Sequence, residues 1–151
     1  MLLGIQNTKA AESEPNNDRS TANTLALNGN NSGGLTTAGD TDWWKVTTTV
    51  DGKINITLTP GSSINTWIYL YDNNGTILLN SAYSTTGFTV SKDGLAAGTY
   101  YVKVNTYYSN ELVNYTISNT FEAPSQANDA EPNNNRAQAK VLNLNKTVTG
   151  H

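Results

Sequence analysis

Apolar side chains in this chain recur at every second position over short runs, which is the period of a half-buried β-strand. Ile54, Ile56 and Leu58 alternate with Asn55, Thr57 and Thr59. In a run that opens at Asp42, Trp44 and Val46 fall on one side and Trp43 and Lys45 on the other. Tyr100, Val102 and Val104 share one face, and Tyr101, Lys103, Asn105 and Tyr107 share the opposite one. The segment Thr66-Trp67-Ile68-Tyr69-Leu70-Tyr71 is apolar on both sides. That suits a central strand, or one whose outer face carries aromatic rings for another purpose. Shorter strands are expected through Gly33-Gly34-Leu35, from Ile77 to about Asn80, from Phe88 to Val90 and from Tyr115 to Ile117. Asp51-Gly52 and Asp72-Asn73-Asn74-Gly75 read as tight hairpin turns, because Asn, Asp and Gly accept the positive φ such turns need. Pro60-Gly61 ends a strand, and Gly94 to Gly98 connects two more. No stretch carries a helical period. Roughly eight or nine short strands with regular turns predict an all-β, antiparallel sandwich of two sheets.

Composition agrees with the pattern. Only 36% of the 151 residues are hydrophobic and 14% charged; Thr, Asn, Ser and Gly supply much of the rest, as turn-rich sheets require. The length suits one domain with a single core plus flanking segments. Net charge is −3 and the nine Lys and Arg residues are scattered, which argues against a nucleic-acid partner. No apolar run approaches the ~18 residues of a membrane span, so membrane insertion is not expected. Cysteine is absent. An exported domain then needs another fastening, and bound metal is one.

An internal repeat sets the domain organisation. Glu12-Ser13-Glu14-Pro15-Asn16-Asn17-Asp18-Arg19 recurs as Asp129-Ala130-Glu131-Pro132-Asn133-Asn134-Asn135-Arg136. At the same offset Leu25-Ala26-Leu27-Asn28 matches Leu142-Asn143-Leu144-Asn145, and the match runs without a gap to Gly33 and Gly150. Self-similarity at a fixed offset marks tandem domains. Residues 1–11 read as a linker or chain edge, since Met1-Leu2-Leu3-Gly4-Ile5 is too short for a signal peptide and lacks a charged start. Residues 12–121 are expected to form the sandwich. Residues 122–151 are expected to be a linker and the truncated start of a second repeat, disordered or docked as a single strand.

The repeated motif also carries the candidate chemistry. Glu12 and Glu14 lie two residues apart, as do Asp40 and Asp42 in Gly39-Asp40-Thr41-Asp42-Trp43-Trp44. In extended backbone that spacing aims both carboxylates to one side. Such a pair is either fully solvated or bridged by a cation. Calcium collects roughly six to eight oxygens from carboxylates, amides and backbone, and Glu12, Glu14, Asn16, Asn17, Asp40 and Asp42 offer that inventory. The bland alternative is a solvated linker and an ordinary turn whose aspartates cap backbone amides. Zinc fits poorly, because the one histidine is His151 and there is no cysteine.

A second candidate is an aromatic surface. Trp43, Trp67, Tyr69, Tyr83, Tyr101 and Tyr107 can project from the outer side of the strands, where flat rings stack on sugars or a peptide rod. Packing against a neighbouring repeat is the bland alternative. Catalysis finds no support, since no His stands near a Ser or Cys nucleophile.

Four blocks resemble the bacterial pre-peptidase C-terminal domain. They are Glu14-Pro15-Asn16-Asn17-Asp18, Gly39 to Val46, Tyr69 to Gly75 and Leu95 to Val104, in the family's order. The resemblance implies a β-sandwich of jelly-roll type, often in tandem, attached to secreted bacterial proteases, other exported hydrolases or surface proteins. It also implies kinship with the collagen-binding domain of clostridial collagenases, which binds calcium between its N-terminal arm and the loop before the aromatic-rich strand. Carried over, the calcium ligands fall on Glu12, Glu14, Asn16, Asn17, Asp40 and Asp42, with backbone near Gly34 as a further ligand. The loop is shorter here, so the Asp40 match is looser than that of Asp42. Of the tyrosines that bind collagen in that relative, Tyr107 matches one, Tyr83 lies close to another, and Asn105 replaces a third.

These readings converge on a non-catalytic, calcium-stabilised accessory or spacer repeat of a secreted or cell-surface bacterial protein. Its partners would be neighbouring domains of the same polypeptide. The alternative is a module that binds polysaccharide or a fibrous protein such as collagen through the aromatic face. A third reading is a propeptide-like element cut off between Phe121 and Asn128.

Overall fold

The computed structural model describes residues 11–124, 129 and 132–148. Nine strands form: β1 Asn23–Thr24, β2 Asn30–Leu35, β3 Asp42–Thr48, β4 Gly52–Pro60, β5 Thr66–Tyr71, β6 Leu78–Ser84, β7 Phe88–Leu95, β8 Gly98–Thr106 and β9 Val113–Glu122. They make two sheets, β1-β3-β8-β5-β6 and β2-β9-β4-β7. Every pairing is antiparallel except that of β1, whose Asn23 and Thr24 run parallel to Trp44 and Lys45. Short 3-10 turns at Arg19–Thr21 and Arg136–Gln138 are the helical elements among the described residues.

The period-two pattern decides which side chains go inside. Trp44 and Val46 on β3, Ile54, Ile56 and Leu58 on β4, Ile68 and Leu70 on β5, and Val102 and Val104 on β8 are fully buried between the sheets. Tyr115 and Ile117 on β9 close the core from the facing sheet. The β5 segment that looked apolar on both faces is indeed central, flanked by β8 and β6. Its outward rings are Trp67, Tyr69 and Tyr71.

One expected turn is corrected. Asp51-Gly52 is not a hairpin: β3 pairs with β8 and β4 with β7 and β9, so the link between β3 and β4 crosses from one sheet to the other. The Gly94–Gly98 link crosses back beside it, and Asp51 Oδ1 accepts from Ala97 N at 2.7 Å. Gly52 is small because a Cβ there would strike the carbonyl of Glu122 and the ring of Phe121, not because the backbone needs positive φ. The Asp72–Gly75 turn does join the β5-β6 hairpin; Gly75 has φ 67°, and Asp72 Oδ1 accepts from Thr76 N at 2.8 Å and Ile77 N at 3.0 Å.

The segment before β1 lies along the sandwich as an arm. Ala11 forms a parallel bridge with Ser32, Glu12 N donates to Ser32 O at 3.0 Å, Trp43 N donates to Asn16 O at 3.0 Å and Leu25 N to Lys45 O at 2.9 Å. Leu25 enters the core. Of the proposed linker 1–11, all but Ala11 lies outside the described residues, as do residues 125–128 of the suggested cleavage segment, Glu131, Gly150 and His151. Residues 132–148 hold the second 3-10 turn in place of a docked strand. No helix among the described residues is long and apolar enough to cross a membrane.

Candidate metal centre and aromatic face

The arm brings Glu12 and Glu14 to the mouth of β3, where Asp42 points inward. One oxygen from each of these three carboxylates lies within 4.8 Å of the others. Asn16, fully buried, joins them: its Nδ2 donates to Glu12 Oε2 at 3.2 Å, and its N–H donates to Glu14 Oε2 at 2.9 Å. Glu12 is held from the other side by the Gly34 N–H. Glycine is needed at Gly33 for close approach. A Cβ there would strike the Tyr115 ring and come within 2.6 Å of Glu12 Oε2.

Beneath the carboxylates runs a buried polar chain. Trp44 Nε1 donates to the Tyr115 hydroxyl at 2.8 Å, and that hydroxyl donates to Asp42 Oδ2 at 2.5 Å. Two oxygens of these residues, Asn16 Oδ1 and Asp42 Oδ1, are buried without a hydrogen-bond partner. A buried acceptor left unpaired costs about 1–3 kcal/mol, so each of these two oxygens is a place where a polar or charged partner would be stabilising.

The charges agree. At 4.8 Å, two ionised carboxylates repel by about 3–4 kcal/mol at an effective dielectric constant near 20. Burial, and after it the charge of Glu12, pushes the Asp42 carboxyl up to about 8, against the hydrogen bond from Tyr115. Burial likewise raises Glu12, and it raises Tyr115 well above the ordinary phenol range. Without a cation, the cluster therefore holds protons that ordinary carboxylates have lost at neutral pH.

The other two expected ligands sit one step out. Asp40 lies in the loop before β3, and its charge is felt at Asp42. Its Oδ2 accepts from Thr36 N at 2.8 Å and its Oδ1 from Thr41 N at 3.0 Å. The Asn17 amide, with its nitrogen toward the loop, donates to Thr41 O and Asp40 Oδ1, each at 3.2 Å. Tyr115 was not singled out from the sequence. Its alternation with Val113 and Ile117 marks it as core, and nothing in that pattern tells what its hydroxyl meets.

The aromatic rings gather on the outside of the five-stranded sheet. Trp43 meets Tyr71 at 5.4 Å between centroids, Tyr71 meets Tyr69 at 6.5 Å, Tyr69 meets Trp67 at 5.3 Å and Trp67 meets Tyr107 at 6.2 Å. Tyr83 packs beside Trp67 at 4.4 Å. Lys103 Nζ lies 5.3 Å from the Tyr69 ring centre. Tyr101 stands apart from this ladder, under the guanidinium of Arg19 at 5.7 Å. Where the ladder ends at Tyr107, a cavity of about 200 Å³ opens between Asp40, Lys103 and Asn105, and Asn105 Oδ1 is buried there without a partner.

A small all-β sandwich with an arm clasped to one end and an aromatic face on the longer sheet is the class of protein these features define. Residues 40–106 match the family model of the bacterial pre-peptidase C-terminal domain, which bears out the resemblance for the sequence blocks from Asp40 onward; the Glu14 to Asp18 block lies outside the matched span. The matched span holds Asp40, Asp42 and most of the ladder but not the arm. Among solved structures, the chain is similar to the pre-peptidase C-terminal domain of the Bacillus anthracis collagenase, with TM-score 0.54 and 21% identity over 65% of this chain and 93% of that one. It is more distantly similar to Aeromonas hydrophila PliG, a periplasmic inhibitor of g-type lysozyme, with TM-score 0.48 and 14% identity over 67% of this chain and 97% of that one. The Yersinia pseudotuberculosis-derived mitogen is comparable, with TM-score 0.48 and 12% identity over 70% and 89%. At these identities the likeness concerns the fold alone. No curated protein matches the chain.

Proposed function

We propose that the chain is a non-catalytic accessory module of a secreted or cell-surface bacterial protein, in which calcium locks the arm onto the sandwich. The observation that carries this reading is a three-carboxylate cluster of Glu12, Glu14 and Asp42 in which Asp42 Oδ1, and Oδ1 of the adjoining Asn16, are buried without a hydrogen-bond partner. Glu12, Glu14, Asn16 and Asp42 would hold the ion, with Asp40 and Asn17 completing or bracing the site from the loop. The donor set is all oxygen, which suits a hard cation. Bound calcium supplies positive charge that lets the acids ionise together. The chain's own part is to join residues far apart in sequence, so that arm and β3 come apart only by giving up the ion. Calcium is scarce in the cytoplasm and plentiful outside, so the clasp would tighten after export, and binding to the folded state alone raises its stability. The direct test is calcium titration by calorimetry. The wild-type chain should bind one ion per molecule and Asp42→Asn should lose at least tenfold in affinity; no heat of binding, or an unaffected variant, overturns the reading.

A specific observation also favours a second reading, adhesion through the aromatic face. The rings form a ladder, and the cavity beside Asn105 adds hydrogen-bonding groups at its end, the mixture that sugar sites use. A pull-down on insoluble polysaccharides and collagen separates a binding module from a spacer, which stays in solution.

A further inference from the structure

The two sheets differ in charge. Strands β2, β4, β7 and β9 carry Lys53, Lys92, Asp93 and Glu122, whose charges cancel. Lys53 Nζ pairs with Glu122 Oε1 at 3.8 Å. Strands β1, β3, β5, β6 and β8 carry Lys45 and Lys103, and their one acidic residue, Asp42, is buried. The outer face of this sheet is therefore positive, on a chain whose net charge is −3. Among the described residues neither Lys45 nor Lys103 has an ion-pair partner.

Cations and rings alternate on that face. Along β3, Trp43 is followed outward by Lys45, and along β8 Tyr101 is followed by Lys103. Across the strands Lys103 pairs with Trp43 on one side and Tyr69 on the other, while Lys45 pairs with Tyr101. Side chains paired in this way on one face lie about 5 Å apart. Lys103 Nζ stands 5.3 Å from the Tyr69 ring centre, and the Arg19 guanidinium adds a further cation 5.7 Å from that of Tyr101. The acids that border the face are turned to backbone. Asp40, across the small cavity from Lys103, accepts from Thr36 N and Thr41 N. Asp72, which follows Tyr71, accepts from Thr76 N and Ile77 N. Asp18, which precedes Arg19, accepts from Ser20 N.

We propose that this face binds an acidic polysaccharide, a chain of sugar rings that carry carboxylate or sulfate groups. The proposal rests on the adhesive reading of the aromatic face and adds the class of ligand. A sugar unit with an anionic substituent presents a flat C–H side and a charge close beside it. Here a ring and an ammonium group alternate on the same scale, so the sugar can lie on Trp43, Tyr69 or Trp67 while its anion meets Lys103 or Lys45. An uncharged sugar uses the rings and leaves the ammonium groups without a counter-charge. A nucleic-acid strand needs a positively charged groove that tracks its backbone, and Arg19, Lys45 and Lys103 on an acidic chain do not make one. Charge complementarity of this kind sets which partner is accepted more than how tightly it is held, and on an exposed face it weakens with salt.

The test is affinity electrophoresis of the full chain in native gels that contain a dissolved polymer, with calcium below the level at which polygalacturonate gels. Two matched pairs are compared: polygalacturonate with the same polymer after its carboxylates are reduced to alcohols, and dextran sulfate with dextran. The expected result is at least tenfold stronger retardation by the acidic member of one pair, and the pair that responds tells carboxylate from sulfate. K103Q and K45Q should each weaken that binding about threefold to tenfold, and W67A at least tenfold. K92Q, on β7 of the other sheet, should change it less than twofold. Equal retardation by the acidic and neutral members overturns the proposal and leaves the adhesive reading standing. Retardation by none of the four overturns the proposal, and the pull-down on insoluble polysaccharides and collagen then decides the adhesive reading separately. Equal losses from K103Q and K92Q, or a W67A chain that binds as before, show attraction by charge alone and overturn the proposal as well.

Discussion

The Tyr115 hydroxyl donates to Asp42 Oδ2 at 2.5 Å while accepting from Trp44 Nε1 at 2.8 Å. One phenol thereby ties the middle of the core to the acidic cluster at its edge. Tyr115→Phe removes both bonds and strands the buried indole N–H and a carboxylate oxygen. We expect a loss of about 2–4 kcal/mol in urea unfolding. A loss below about 0.5 kcal/mol would mean that this bridge is not a structural tie.

The raised Asp42 carboxyl gives the metal-free chain an unusual pH response. Its ordinary value is 3.8 and its folded value about 8, so between these the folded state holds a proton that the unfolded state has released. Stability then falls as pH rises through that window. Denaturant melts in excess chelator should show the chain more stable at pH 5 than at pH 8. With calcium present the order should reverse, because the ion competes with those protons. Identical curves at the two pH values in chelator would show that Asp42 is not buried in the folded chain.

At Gly33 the prediction is steric. Gly33→Ala places a Cβ against Tyr115 and 2.6 Å from Glu12 Oε2, so the arm or the ring must shift. We expect about 1–3 kcal/mol of destabilisation, as for overpacked interiors, together with weaker calcium binding in calorimetry. Gly39→Ala, where a Cβ meets nothing within 4 Å but φ is +80°, should cost about 1 kcal/mol and leave the calcium affinity nearly unchanged.

On the aromatic face, Trp67 touches Tyr69, Tyr83 and Tyr107. If the face holds sugar chains or fibres, Trp67→Ala should reduce retention on the insoluble ligand at least tenfold with little change in calcium affinity. Tyr101→Ala, under Arg19 and off the ladder, should change retention much less. Equal losses from the two variants would argue against a ladder-shaped site.

Much of this architecture is legible in the sequence, because alternation fixes which side of a strand is buried. Trp44 and Val46 inward, Trp43 and Lys45 outward, and the two-sided β5 all follow from counting by two. The crossover at Asp51-Gly52 does not, because a glycine that avoids a clash with Glu122 and Phe121 looks the same as one that supplies positive φ. The parallel seat of β1 is also invisible, since two residues carry no pattern. At the clasp, the spacing of Glu12 and Glu14 points correctly to an acidic cluster with Asp42. Asp40, in the loop before β3, spends its oxygens on the backbone of Thr36 and Thr41, which the spacing does not foretell. Asn16 could be named only as an oxygen donor. Its complete burial comes from the arm that carries it lying down on the sandwich.

The claim at the centre of this account is that a divalent ion fastens the arm to β3. A thermal melt of the full chain at pH 7.5, with millimolar calcium and then with excess chelator, tests it most directly. If calcium is about a hundredfold above its dissociation constant, the gain is about 2.7 kcal/mol, and the midpoint should rise by roughly 5–15 °C. Superimposable melts would contradict it.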